Sequence, residues 1–150
     1  MGLSAFFPVA YADDVCLEKS LVVNGFSSHF KEKTKYARTH GYNEQNYGLG
    51  YKCRVSDFGS FEQAIEVGFL RNSYRATSLY ASYELMKKLN DNFSVGLRAS
   101  VNGGYQVLKY SYDGYVAGIS PTVKFRFNDR FSTNLSVTNN YVFVNFEAKL

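Results

Sequence analysis

The chain has 150 residues, 17 of them Lys or Arg and 13 Asp or Glu, giving a formal charge of +4. That length holds one domain, no stretch approaches the roughly 18 apolar residues of a membrane-crossing helix, and the basic residues form no continuous stripe of the kind that binds nucleic acid. Aromatic residues, all Tyr and Phe, make up 17% of the chain beside 12 Gly and only 2 Pro, a composition that favours strands joined by tight turns over helices.

The first residues read "LSAFFPVAYA" and close on Ala10-Tyr11-Ala12 before a pair of aspartates. Small residues at these positions suit a signal peptidase, so residues 1–12 are expected to be a truncated secretory signal without its basic n-region. The mature, exported chain then begins near Asp13; the competing reading is an apolar tail. Cys16 and Cys53 are the only cysteines. In an oxidising compartment they form one bridge, and elsewhere two free thiols; both readings stand. Two thiols with no His beside them do not make a metal site.

Eight alternating segments follow, near 21–30, 46–54, 61–70, 76–86, 92–107, 115–127, 130–138 and 141–149. The fifth is the clearest: Phe93, Val95, Leu97, Ala99 and Val101 share one face, and Ser94, Gly96, Arg98, Ser100 and Asn102 the other. Short connections ("VSDFGS", "KKLNDN", "NDR") alternate with longer ones at 31–45 and 108–114. The pattern predicts an all-β fold, an eight-stranded antiparallel up-and-down barrel over residues 13–150.

A soluble lipocalin-type barrel alternates too, with its apolar face inward. Here the apolar face carries more Phe, Tyr, Ile and Leu than eight strands can enclose, while the other face is rich in Gly and Ser. A transmembrane barrel is therefore expected, apolar face outward, in a bacterial outer membrane with both termini in the periplasm. Mean hydropathy, at −0.26, does not discriminate, because every second barrel residue avoids lipid. With that orientation Lys52, Arg54, Glu62, Lys124, Arg126, Glu147 and Lys149 occupy the periplasmic half of the interior and should pair into a plug, with Glu66 and Arg98 nearer the middle. Gly48, Gly50, Gly68 and Gly118 point into the outer half, where they either ease strand curvature or leave a cavity.

The outward rim carries His29, at the end of the first segment, and Ser73 in "GFLRNSY". A Ser hydroxyl needs a general base within hydrogen-bond reach, and His suits that role near neutral pH. Asn72 could orient the imidazole or donate to an oxyanion. Polar loop residues without chemistry are the alternative.

The stretches "SSHFKEKTKY", "YNEQNYGLGY" and "GFLRNSY" resemble the lipid A palmitoyltransferase (PagP-type) outer-membrane enzymes over about residues 22–83. His29, then Tyr42, Asn43 and Glu44, then Gly48 and Gly50, then Ser73 and Tyr74 match that family's motifs in order. The resemblance implies an acyltransferase that moves a fatty acyl chain from a phospholipid to lipid A, with His29, Asn72 and Ser73 as catalytic residues. It implies no metal or organic cofactor, and a monomer whose partners are the two lipids, with no nucleic acid. Lys31, Lys33, Lys35 and Arg38, with Tyr42, Asn43, Glu44 and Tyr74, would then bind substrate, with Gly48, Gly50 and Gly68 around the acyl chain. The basic run is otherwise an ordinary solvated loop. Asn72 stands where the family has Asp, no Trp occurs although the family uses it freely, residues 13–20 are too short for the family's amphipathic helix, and Leu150 takes the place of its terminal aromatic. A non-catalytic lipid-binding barrel and a lipid acyl hydrolase are the alternatives on the same scaffold.

Overall fold

The computed structural model describes residues 15–30, 35–109 and 111–150. The expected signal peptide, residues 1–12, lies outside them. Eight strands run in order: β1 (Glu18–His29), β2 (Gln45–Phe58), β3 (Phe61–Arg71), β4 (Thr77–Lys88), β5 (Phe93–Asn102), β6 (Val116–Arg126), β7 (Phe131–Val137) and β8 (Tyr141–Lys149). A six-residue helix, α1 (Lys35–His40), sits between β1 and β2. Each strand pairs antiparallel with the next, and β8 returns to β1, closing the barrel. The expected segments correspond one to one with these strands. The fifth is shorter than its expected range because Gly103 and Gly104 (φ 78°) lead the chain out of the sheet after Asn102.

Two-residue alternation sorts the side chains. Asn24, Lys52, Glu66, Glu84, Asn134 and Asn145 face inward and are at most 4% exposed, whereas Leu79 and Ile119 outside are 70% and 71% exposed. Leu21, Tyr51, Val67, Leu97, Val123, Leu135 and Phe146 continue the outward apolar face around the wall. This inverts the usual partition, in which apolar side chains fill the interior.

The core is accordingly ionic. Lys52 Nζ donates to Glu84 Oε1 and Oε2 at 2.9 and 2.8 Å, bonds Glu147, and lies 3.2 Å from Glu66 Oε2. Arg98 spans Glu66 (3.0 Å) and Glu84 (3.1 Å), and Lys124 holds Glu147 at 3.0 Å. Arg126 pairs with Glu62 at 2.8 Å, Arg54 with Asp57 at 2.8 Å, and Lys149 with Glu18 at 2.7 Å. The paired interior matches its expectation at Lys52, Glu66, Arg98, Lys124 and Glu147, joined by Glu84, whereas Arg54 and Lys149 pair with Asp57 and Glu18 at the more exposed turn-end mouth. Buried charges persist only when paired, since removing one partner costs about 3–5 kcal/mol.

Short reversals join the strands at one end, here the turn end, which also holds Glu18 and Leu150. Gly59 (φ 60°) occupies the two-residue β2–β3 turn, where a positive φ matches the strand twist. Asn90 and Asn128 each accept two backbone N–H groups through Oδ1, closing the β4–β5 and β6–β7 reversals as Asx turns. A disulfide links Cys16 to Cys53 on β2, resolving the choice between a bridge and two thiols.

One part of the wall is open. β7 pairs with β6 only from Thr122 to Arg126, leaving Val116–Pro121 bonded to β5 alone. Pro121 has no N–H to offer across that seam. Gly118 borders it, and an added Cβ there would meet no atom within 4 Å.

Candidate functional site

The loop end gathers the connections 30–44, 72–76, 103–115 and 138–140. His29 ends β1 here with its side chain only 7% exposed. Its ring stacks on Tyr42, 3.9 Å between centroids and 16° between planes, and meets Tyr141 at 5.2 Å. The His29 backbone N–H donates to Glu44 Oε1 at 2.9 Å, and the same oxygen lies 3.8 Å from ring Nδ1. That second distance suits an ion pair with a protonated ring but is too long for a hydrogen bond.

Asn43 fastens this corner to the β3–β4 turn. Its N–H donates to Ser73 O at 2.8 Å, and its Nδ2 donates to Asn72 O at 3.1 Å and Gln45 O at 2.8 Å. Tyr42 meets Tyr74 edge to face at 5.8 Å. His29, Tyr42, Asn43, Glu44, Asn72, Ser73 and Tyr74, separated in sequence, therefore converge at one rim.

Their chemistry differs from the sequence expectation. Asn72 is fully buried and all of its amide is used locally: Oδ1 accepts from Tyr74 N (2.9 Å) and Ala76 N (3.0 Å), while Nδ2 donates to Ser78 Oγ (3.0 Å) and Gly104 O (2.8 Å). It is the Asx residue of its turn, like Asn90 and Asn128, and has no group left for an imidazole or an oxyanion. Ser73 lines the cavity beneath the rim, and among the described residues no hydrogen bond joins its hydroxyl to His29. The carboxylate beside His29 comes instead from Glu44.

The glycines are also reassigned. A Cβ at Gly50 would lie 2.3 Å from Tyr80 Oη, and one at Gly68 would lie 2.4 Å from Leu49 O and 2.7 Å from Tyr80 Oη. At Gly48 it would meet Phe69 O at 2.0 Å. Gly50 and Gly68 admit the Tyr80 ring, and Gly48 admits the close approach of β3. Tyr80 is locked there by donating to Glu66 Oε1 at 2.6 Å and accepting from Asn24 Nδ2 at 3.0 Å.

The cavity that remains at the loop end is about 70 Å³ and of mixed character, bounded by Asn46, Ser73, Arg98 and Asn102 together with Leu70, Tyr80, Tyr141 and Phe143 among others. A drug-sized ligand needs roughly 300 Å³ or more. Of the basic run, Lys31 and Lys33 lie outside the described residues. Lys35 and Arg38 sit three apart on α1, both exposed, while Ala37 turns inward. Residues three apart share a helix face. No cluster of three or more metal-ligating side chains occurs among the described residues.

Sequence reading missed Tyr80 and Glu84, although both share the inward parity of Ser78 and Ser82. It also assigned Glu44 to substrate rather than to His29, a contact that only the fold reveals. No protein-family model matches the chain, and no curated protein does.

Proposed function

We propose that this chain is an integral barrel of a bacterial outer membrane whose loop-end rim binds phosphorylated lipid headgroups, without moving an acyl chain through its interior. The carrying observation is the inverted side-chain distribution: a polar, ion-paired core inside a wall of exposed Leu, Val, Ile, Phe and Tyr. In water such a wall would be one large apolar patch; against lipid it is the favourable face. The closed hydrogen-bond circuit leaves no full-length edge strand in need of a partner, which supports a monomer.

Lipid contact at the rim is supported by Lys35 and Arg38 on one exposed helix face beside a group of tyrosines. Cations just above a membrane surface attract its phosphates, and Tyr favours the boundary between lipid and water. Native mass spectrometry of the purified barrel tests this. A phosphorylated lipid should co-purify, be lost with Lys35→Ala/Arg38→Ala, and leave the lipid A of the expressing cells unchanged in acyl number.

Acyl transfer or hydrolysis remains a second reading because Glu44 stands beside His29 and Ser73 lines the cavity at the same rim. His29 would then be the general base, with Glu44 balancing the imidazolium and Ser73 the nucleophile. The stretch of β6 that lacks a β7 partner contributes Ser120 to the lining of that cavity. Lipid A that gains an acyl chain with the wild type but not with Ser73→Ala would favour transfer. Free fatty acid with no acylated product would favour hydrolysis.

A further inference from the structure

A second cavity, about 50 Å³, opens at the turn end among Arg54, Glu62, Lys124, Arg126 and Glu147, and Lys52 and Glu84 form part of its lining. The loop-end cavity reaches Tyr80 and Arg98 from the other side. These four residues belong to one network. Glu84 holds Lys52 and Arg98 at once, and Glu66 holds Lys52, Arg98 and Tyr80. Cross-strand register places Lys52 directly opposite Glu66, and Glu84 directly opposite Arg98. The two vestibules are thus separated by a single layer of side chains, in which two cations face two carboxylates.

We propose that this layer is a closed gate, and that the lumen conducts small cations when Lys52 releases its carboxylates. The inference rests on the membrane reading above. Polar groups continue on both sides of the layer: Ser100, Asn102, Ser120, Ser136 and Thr138 on one side, interleaved with Leu70, Tyr141 and Phe143, and the charged turn-end vestibule on the other. Lys52 is the residue most of the closure depends on, because it touches Glu66, Glu84 and Glu147 together. Without it, Arg98 and Lys124 face three carboxylates, an excess of negative charge that draws in cations and water. Rings of carboxylates are how pores select cations.

The test is current through planar phospholipid bilayers containing the purified full chain, with vesicle flotation and heat-resistant migration of the folded form scored on the same samples. Wild type should stay near baseline. Lys52→Met should raise the mean current roughly tenfold or more, with a reversal potential that favours potassium over chloride. Arg98→Met, which frees Glu66 and Glu84 from the other side, serves if Lys52→Met does not fold. Adding Glu84→Gln and Glu147→Gln to Lys52→Met should abolish the cation preference. A folded, floating Lys52→Met or Arg98→Met that passes no more current than wild type overturns the gate alone, as does preference for chloride. Wild type that fails to float with vesicles overturns the membrane reading and the gate with it.

Discussion

The Tyr80 hydroxyl donates to Glu66 Oε1 at 2.6 Å from the space that Gly50 and Gly68 leave by having no side chain. Aromatic ring, carboxylate and glycines form one packed unit. Gly50→Ala should therefore overpack the lumen and lower stability by about 1–3 kcal/mol. Tyr80→Phe should also destabilise, by leaving Glu66 short of a donor, but Gly50→Ala should cost less in that background. Urea unfolding of the two single variants and the double variant measures this coupling. Strict additivity would show that Tyr80 does not fill the glycine gap.

Asn72 needs an amide. Replacing it with Asp, the residue that PagP-type enzymes carry, keeps an acceptor for Tyr74 and Ala76 N–H but loses donation to Gly104 O. Asn72→Asp should lower stability by about 1–3 kcal/mol and confer no lipid A acylation. Gain of activity without loss of stability would return Asn72 to the chemistry.

The Cys16–Cys53 bridge closes a loop across 37 residues of sequence. Chain-entropy arguments put its contribution at about 3–4 kcal/mol. Cys16→Ser/Cys53→Ser should lower the unfolding midpoint accordingly, and dithiothreitol should reproduce the loss in the wild type only.

At the rim, each cation near an anionic membrane surface contributes about 1 kcal/mol. Lys35→Ala/Arg38→Ala should thus weaken binding of a short-chain anionic phospholipid to the detergent-solubilised barrel by roughly thirtyfold at low salt. The difference should shrink as ionic strength rises, because exposed charges are screened within about a Debye length. Equal affinities at low salt would remove α1 from the binding surface.

The barrel was legible in the sequence because alternation has a period of two, and eight turn-bounded repeats of it admit few closures. The paired interior followed from parity too: Lys52, Glu66, Arg98 and Glu147 fall on one face by counting. What counting could not supply was occupancy. By sequence Gly50 and Gly68 fit strand curvature or a cavity, and the contact with Tyr80, two strands from Gly50, lies beyond what alternation can show. Nor could it tell a catalytic Asn72 from a turn residue, since both readings need a polar side chain after β3. The distinction lies in four short hydrogen bonds, three of them to backbone groups brought there by the turn and by Gly104. The Glu44–His29 contact was equally invisible, because it depends on how the β1–β2 connection folds back.

Absence of Trp from the chain makes the decisive measurement simple. Leu97 projects from the middle of β5 on the outward face, and Tyr112, 88% exposed, lies in the β5–β6 connection at the loop end. Leu97→Trp and Tyr112→Trp would each carry one indole reporter into vesicles made with lipids brominated along the acyl chain. A membrane-facing wall gives blue-shifted emission quenched by brominated lipid for Leu97→Trp, and emission quenched by aqueous acrylamide alone for Tyr112→Trp. Acrylamide quenching of Leu97→Trp, with no response to brominated lipid, would contradict a wall that faces the membrane.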